Sequence, residues 1–144
     1  MLLKSYLSDR YFRVKYEDEY SILKQMSSGV PQGSVLGPIL YLLYTRDLPK
    51  QKDSIIATFA DDTAIITIDD DVRTATKTLQ KSINAVNEWT KKWRIKINDA
   101  KSTHTNFTNR KVDTIRITLN NNVIPYSNRV KYLGMTLDQV EGAR

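Results

Sequence analysis

Two short runs of β-branched and apolar residues, Ile55-Ile56-Ala57-Thr58-Phe59-Ala60 and Thr63-Ala64-Ile65-Ile66-Thr67-Ile68, are separated only by Asp61-Asp62. Runs of this length and type form strands, and a two-residue separation leaves room only for a tight hairpin. The expectation is a β-hairpin over residues 55–68 with Asp61-Asp62 at its tip. Tight hairpin turns favour Asn-Gly or Asp-Gly, which tolerate positive φ better than Asp-Asp does. The adjacent carboxylates also repel each other, by roughly a few tenths to 1 kcal/mol at surface dielectric and salt. A divalent cation relieves both problems, and Mg²⁺ prefers carboxylate and phosphate oxygens. An ordinary hairpin turn, with Asp as an accepted turn residue, stays open beside that interpretation.

The surrounding pattern mixes helix and strand. From Asp71 to Trp93 the residues Val72, Ala75, Leu79, Ile83, Val86, Trp89 and Trp93 recur at steps of three and four. That spacing is one face of an amphipathic helix of about six turns. Asp69, Asp70 and Asp71 stand at its start and Lys91, Lys92 and Arg94 at its end, each the favourable sign for the helix dipole. Upstream, Phe12, Val14 and Tyr16 alternate with Arg13 and Lys15 before the acidic cluster Glu17-Asp18-Glu19. Residues 11–26 therefore read as a half-buried hairpin. Ile39-Leu40-Tyr41-Leu42-Leu43-Tyr44, following Gly37-Pro38, fits a helix over about 38–47 with Pro in its first turn. Being apolar nearly all round, it should be buried. Alternating segments follow at Ile95 and Ile97, 103–108, 115–119 and 130–137, with Asn120-Asn121-Asn122 as a turn. No repeat or linker divides the chain, and the fold class is α+β with antiparallel pairing.

Composition narrows the functional classes. Hydrophobic residues are 40% and charged residues 26% of the 144, as in a folded domain rather than a disordered one. The 22 Lys and Arg outnumber the 16 Asp and Glu, giving a formal charge of +6. An excess of this sign favours an anionic partner, most commonly nucleic acid, although a basic solvated surface accounts for it equally well. There is no cysteine, which excludes disulfides and thiolate zinc sites within these residues. The lone His104 has no second His or Cys with which to share a metal and reads as a surface or strand residue. No apolar run approaches the roughly 20 residues needed to span a bilayer. The start, Met1-Leu2-Leu3-Lys4-Ser5-Tyr6, lacks the pattern of a signal peptide. The expectation is an intracellular protein with no membrane partner, nucleus and cytoplasm both open.

Ser28-Gly29-Val30-Pro31-Gln32-Gly33-Ser34-Val35-Leu36-Gly37-Pro38 is too rich in Gly and Pro to be anything but a loop leading into the helix. A Gln between Pro and Gly can present backbone amides and one side-chain amide to a phosphate, sugar or base. The segment lacks the Gly-Lys-Ser/Thr of a Walker loop, which disfavours simple nucleotide hydrolysis. Ser28 to Pro38 resembles a motif of reverse transcriptases, and Phe59-Ala60-Asp61-Asp62 resembles the aromatic-x-Asp-Asp motif of the same family. Trp93 to Lys101, ending Ile97-Asn98-Asp99-Ala100-Lys101, is similar to the following segment with a late lysine. Tyr132-Leu133-Gly134 is similar to the short strand motif that closes the polymerase palm. Four motifs in order cover residues 28–134, a far more specific signal than any one of them. With Tyr6-Leu7-Ser8-Asp9-Arg10, they most resemble non-LTR (LINE-like, jockey-related) retrotransposons.

The resemblance implies an RNA-directed DNA polymerase palm fragment, an antiparallel sheet with helices packed on one face. It implies two-metal nucleotidyl transfer with Mg²⁺ or Mn²⁺, and RNA template, DNA primer and deoxynucleoside triphosphates as partners. Asp61 is then the principal metal ligand and Asp62 a weaker or supporting one. Ser28, Pro31, Gln32 and Gly33, with Phe59 and Ala60, would line the nucleotide and template pocket. Lys101 would neutralise or protonate the leaving pyrophosphate, or else be a solvated lysine. Tyr132, Leu133 and Gly134 would support the primer backbone, or else form a core strand. The family's further metal-binding aspartate belongs to an apolar strand upstream of the Gly-rich motif. Asp9 and Asp18 both lie outside such a strand, so the chain is expected to begin after that motif, without fingers or thumb, and to be inactive alone. Two rivals remain: a catalytically dead retroelement remnant that grips nucleic acid through its charge, and a host protein using the fold for interaction alone.

Overall fold

The computed structural model describes residues 2–108 and 115–138. Contacts divide the chain into two compact units, Met1–Arg46 and Asp47–Arg144, at a point where composition marks no linker. The first unit opens with a short helix, α1 (Leu2–Leu7), followed by four two-residue strands: β1 (Tyr11–Phe12), β2 (Lys15–Tyr16), β3 (Glu19–Tyr20) and β4 (Lys24–Gln25). β1 pairs antiparallel with β4, and β2 with β3. The expected hairpin is therefore present, with its turn in the acidic cluster at Glu17, where φ is +50°. The two ladders are offset by one residue. At the offset the Ser21 hydroxyl accepts from the Val14 N–H at 2.9 Å, and the Ser21 N–H donates to the Val14 carbonyl at 2.9 Å. A side chain thus completes pairing that a bulge interrupts.

Burial in this unit departs from the sequence expectation. Phe12, Val14 and Tyr16 are exposed, Tyr16 by 75%. The apolar helix α2 runs Leu36–Tyr44 rather than 38–47 and is not buried either, with Leu42 66% exposed. It begins early because the Ser34 hydroxyl accepts from the Gly37 N–H at 3.1 Å, a capping bond that satisfies one free helix donor. Apolarity on all sides predicts burial only when other elements cover every side, and among the described residues of this unit none is buried.

The second unit has a core. β5 (Ile55–Phe59) and β6 (Asp62–Ile66) form the expected antiparallel hairpin. Helix α3 (Val72–Trp93) follows, then a 3-10 turn at Asp99–Lys101. Two further hairpins follow among the described residues, β7 (Ile117–Leu119) with β8 (Asn122–Ile124), and β9 (Arg129–Tyr132) with β10 (Met135–Asp138). Asp71 caps α3 by accepting from the Thr74 N–H at 2.9 Å, and Arg94 ends it in the left-handed conformation. Asn120 and Asn121, at φ +52° and +64°, make the β7–β8 turn, a conformation Asn tolerates. Ile83 of α3 packs with Ile117, Leu119 and Ile124, and Ile65, Leu79 and Ile97 pack against them. Ile117 is only 1% exposed, and burying such a side chain stabilises by about 1.5–3 kcal/mol.

The described strands form five two-stranded ladders rather than one continuous sheet. The alternating residues 103–108 do not form a strand; His104 makes a single parallel bridge to Tyr126. Ile95 and Ile97 are half-buried without joining a ladder. Of Tyr132-Leu133-Gly134 only Tyr132 lies in a strand, at the end of β9, while Leu133 at φ +49° and Gly134 at φ +81° make the turn into β10. No described helix is long and apolar enough to cross a membrane.

Candidate active site

The Asp-Asp hairpin is tied to α3 at both feet and projects at its tip. The Ser82 hydroxyl, on a residue with no exposed surface, lies 2.9 Å from that of Ser54, just before β5. The Thr67 hydroxyl, just after β6, donates to the Ala75 carbonyl at 3.1 Å. Between the feet, register decides what each face carries. Ile56↔Ile65 and Thr58↔Thr63 share one face, and Ile65 packs on the core beneath α3. Ile55↔Ile66, Ala57↔Ala64 and Phe59↔Asp62 share the other.

The tip sits one residue earlier than expected. Phe59 pairs with Asp62, so the two-residue turn is Ala60-Asp61, and Asp62 is already the first residue of β6. The turn is made by Ala60 at φ +48°, a left-handed conformation that costs a non-glycine residue about 1–2 kcal/mol. Asp61 and Asp62 are both exposed. Their positions are therefore not equivalent: one belongs to the turn, the other to the strand face that carries Phe59.

Tyr132 joins this hairpin from a distance in sequence. Its hydroxyl donates to the Ala57 carbonyl at 3.4 Å, linking the end of β9 to β5. Leu133 and Gly134 make the turn that returns the chain into β10. Lys101 closes the 3-10 turn, exposed, with its backbone N–H donating to the Asn98 side chain at 3.3 Å. Asp99 in the same turn accepts from the Asn122 amide. That bond is the chief cause holding the Asp99 carboxyl below the usual carboxylate range.

The Gly-rich segment belongs to the other compact unit. Pro31-Gln32-Gly33-Ser34 forms a turn closed by the Ser34 N–H donating to the Pro31 carbonyl at 3.2 Å, with Gly33 at φ +78°. Positive φ at the third turn position is the requirement glycine meets without strain. Ser28, Pro31, Gln32 and Gly33 are exposed. The Arg10 guanidinium donates to the Gly29 carbonyl, a support for this loop that sequence periodicity did not reveal. The only forewarning was that Arg10 ends the Tyr6–Arg10 stretch.

Asp61 and Asp62 offer hard carboxylate oxygens of the kind Mg²⁺ takes, and Mg²⁺ commonly uses only one or two carboxylates alongside water and phosphate. By donor type either carboxylate suits such an ion. Among the described residues no three His, Cys, Asp or Glu side chains gather into a metal-holding group.

Over residues 2–137 the chain matches the family described as reverse transcriptase (RNA-dependent DNA polymerase). The chain belongs to the reverse transcriptase family. It is 37% identical over 147 residues to the RNA-directed DNA polymerase from mobile element jockey of Drosophila melanogaster. It is 38% identical over 146 residues to the protein of the same name from Drosophila funebris. Each match covers 96% of this chain and 16% of the relative, so the chain spans about a sixth of those reverse transcriptases. No solved structure matches it. The mixed helix and antiparallel-strand architecture is consistent with part of a reverse transcriptase domain.

Proposed function

We propose that this chain is the part of an RNA-directed DNA polymerase palm that carries the Asp-Asp hairpin of its nucleotidyl-transfer site. The supporting observation is that hairpin itself: α3 fixes its feet, while its tip presents Asp61 in the turn and Asp62 on the strand. Asp61 is the principal ligand for Mg²⁺ or Mn²⁺, and Asp62 a supporting one. The metal ions, once bound with template and substrate, supply charge neutralisation for in-line displacement at the primer 3′ hydroxyl. The chain's own residues position that chemistry. Phe59 and Ala60 border the carboxylates, and the exposed Gln32-Gly33 turn with Ser28 and Pro31 contacts nucleotide and template. Lys101 offsets charge on the departing pyrophosphate. Tyr132 steadies β5 while the Leu133-Gly134 turn faces the primer backbone.

RNA template, DNA primer and deoxynucleoside triphosphates are the partners in this account, and the polymerase acts inside the cell. The chain covers 16% of its jockey relatives, and in this account it acts as part of a longer polymerase. The test replaces the equivalent segment of the jockey polymerase with this one and measures single-nucleotide incorporation on a primed RNA template. Incorporation that falls by orders of magnitude with Asp61→Asn supports the assignment, since losing a metal ligand removes transition-state charge stabilisation. Full incorporation by that variant refutes it. A nucleic-acid-binding remnant without catalysis, which the excess basic charge would also serve, predicts no incorporation by the parent chimera although it folds and binds primed template.

A further inference from the structure

The face of α3 that points away from the core is predominantly basic. Thr76, Ile83, Val86 and Thr90 are buried on one side of the helix. At 100° per residue, Lys77, Lys81 and Lys92 fall on the opposite side with Arg73 and Lys91 on its flank, and all five are exposed. The helix contains one acidic residue, Glu88, and it is engaged by Lys91 at 2.7 Å. Arg73 lies beside the Asp71 cap, whose carboxyl is held below its usual range chiefly by the Thr74 hydrogen bonds and least by the Arg73 charge. Lys77 and Lys81 therefore form the uncompensated centre of the row.

Like charges at i, i+4 are an unfavourable helix arrangement. Arg73, Lys77 and Lys81 repeat it twice, and an anion laid along the row reverses its sign. Successive members are one turn apart, about 6 Å along the axis, comparable with the spacing of phosphates along a nucleic-acid strand. The rest of the arc carries Thr74, Asn84, Glu88 and Lys92, the last beside Trp93 and Asp47, with no large apolar side chain to enter a bilayer. A membrane-binding helix needs such side chains opposite its basic ones. The row is also on the side of α3 opposite the residues that pack towards β6 and β7.

We propose that the outward face of α3, centred on Lys77 and Lys81, is a sequence-independent binding surface for the phosphate backbone of single-stranded nucleic acid, separate from the Asp-Asp hairpin. It rests on nucleic acid being this chain's partner and not on the role given to Asp61.

The experiment measures binding of a fluorescent mixed-sequence single-stranded RNA to residues 1–144 across a salt series. The double variant Lys77→Gln/Lys81→Gln should reduce the steepness of log K against log salt by about 1.4, the counterions released at two single-strand phosphate contacts. Lys50→Gln/Lys52→Gln, removing the same charge from exposed positions outside α3, should leave the slope nearly unchanged. The series is run in EDTA without divalent cation, which separates this surface from the metal-dependent catalytic assignment. Circular dichroism confirms folding of each variant. Equal slope changes in the two lysine pairs, or none in the α3 pair, overturn the proposal. So does tighter lysine-dependent binding to vesicles of anionic lipid than to RNA.

Discussion

Gln80 pairs with the backbone of Thr118 as a neighbouring strand would. Its side-chain nitrogen donates to the Thr118 carbonyl at 2.9 Å, and its side-chain oxygen accepts from the Thr118 N–H at 2.8 Å. An edge strand leaves backbone groups unpaired, and here a helix side chain satisfies two of them. The same amide nitrogen also donates to Asn84 at 2.8 Å. Gln80→Leu keeps comparable bulk and removes both strand bonds, leaving a part-buried donor and acceptor unmet. The expected loss is about 1–3 kcal/mol, measured by urea denaturation. Hydrogen exchange at the Thr118 amide should accelerate; unchanged protection there would mean that the pairing does not hold β7.

The Asp47 carboxylate accepts from the Trp89 indole at 2.9 Å and from the Trp93 indole at 3.1 Å. The Trp89 bond is the leading cause of its lowered pKa. A lowered folded-state pKa means that the contribution is complete above the ordinary aspartate value and is lost as pH falls through the lowered one. Tryptophan fluorescence should therefore change in strong acid, below the usual carboxylate range, before global unfolding. Asp47→Asn should abolish that transition, and a transition that persists in the variant assigns it to another group.

These contacts mark where sequence stops being informative. The α3 boundaries were legible because Asp71 caps and the apolar spacing repeats for six turns. Gln80, Ser82, Thr76 and Thr90 were not, since hydrophobic periodicity is silent about polar side chains that turn inward to meet a partner. The β5–β6 hairpin followed from its β-branched residues, yet its tip was placed one residue late because Ala60 is an unusual residue for positive φ. The same difficulty hid the β9–β10 turn: Leu133 rarely adopts φ above zero, so 130–137 read as an alternating segment with no turn within it. The exposure of α2 and of Phe12, Val14 and Tyr16 was illegible for another reason, since apolar pattern reports a need for cover and not what supplies it.

Ala60 offers a direct probe of the tip. Ala60→Val places a β-branched residue at φ +48°, where it is strongly disfavoured, and should lower stability by about 1–3 kcal/mol. Ala60→Gly relieves the left-handed conformation but adds freedom to the unfolded chain, so its net effect should be within about 1 kcal/mol of the parent. Thermal unfolding of both variants checks the ordering. Equal stability of Val and Gly at this position would rule out the turn as described.

Residues 1–144 alone should give no primer extension with Mg²⁺. Asp61 and Asp62 can contribute to one ion's shell, while in-line displacement uses two ions about 3.5–4 Å apart. Single-nucleotide incorporation on primed RNA tests this, and template-dependent synthesis by the bare chain would show that its own residues complete the site.

The central claim is that Asp61 and Asp62 hold a divalent cation, and the most direct measurement is Mn²⁺-induced broadening of backbone amide NMR signals in the intact chain. With substoichiometric Mn²⁺, broadening should centre on residues 60–63 and disappear in Asp61→Asn, with Asp62→Asn weakening it less. Added Mg²⁺ should compete the effect away. Broadening centred on Asp69 to Asp71 instead, or a pattern at the hairpin that Asp61→Asn leaves intact, would contradict the account.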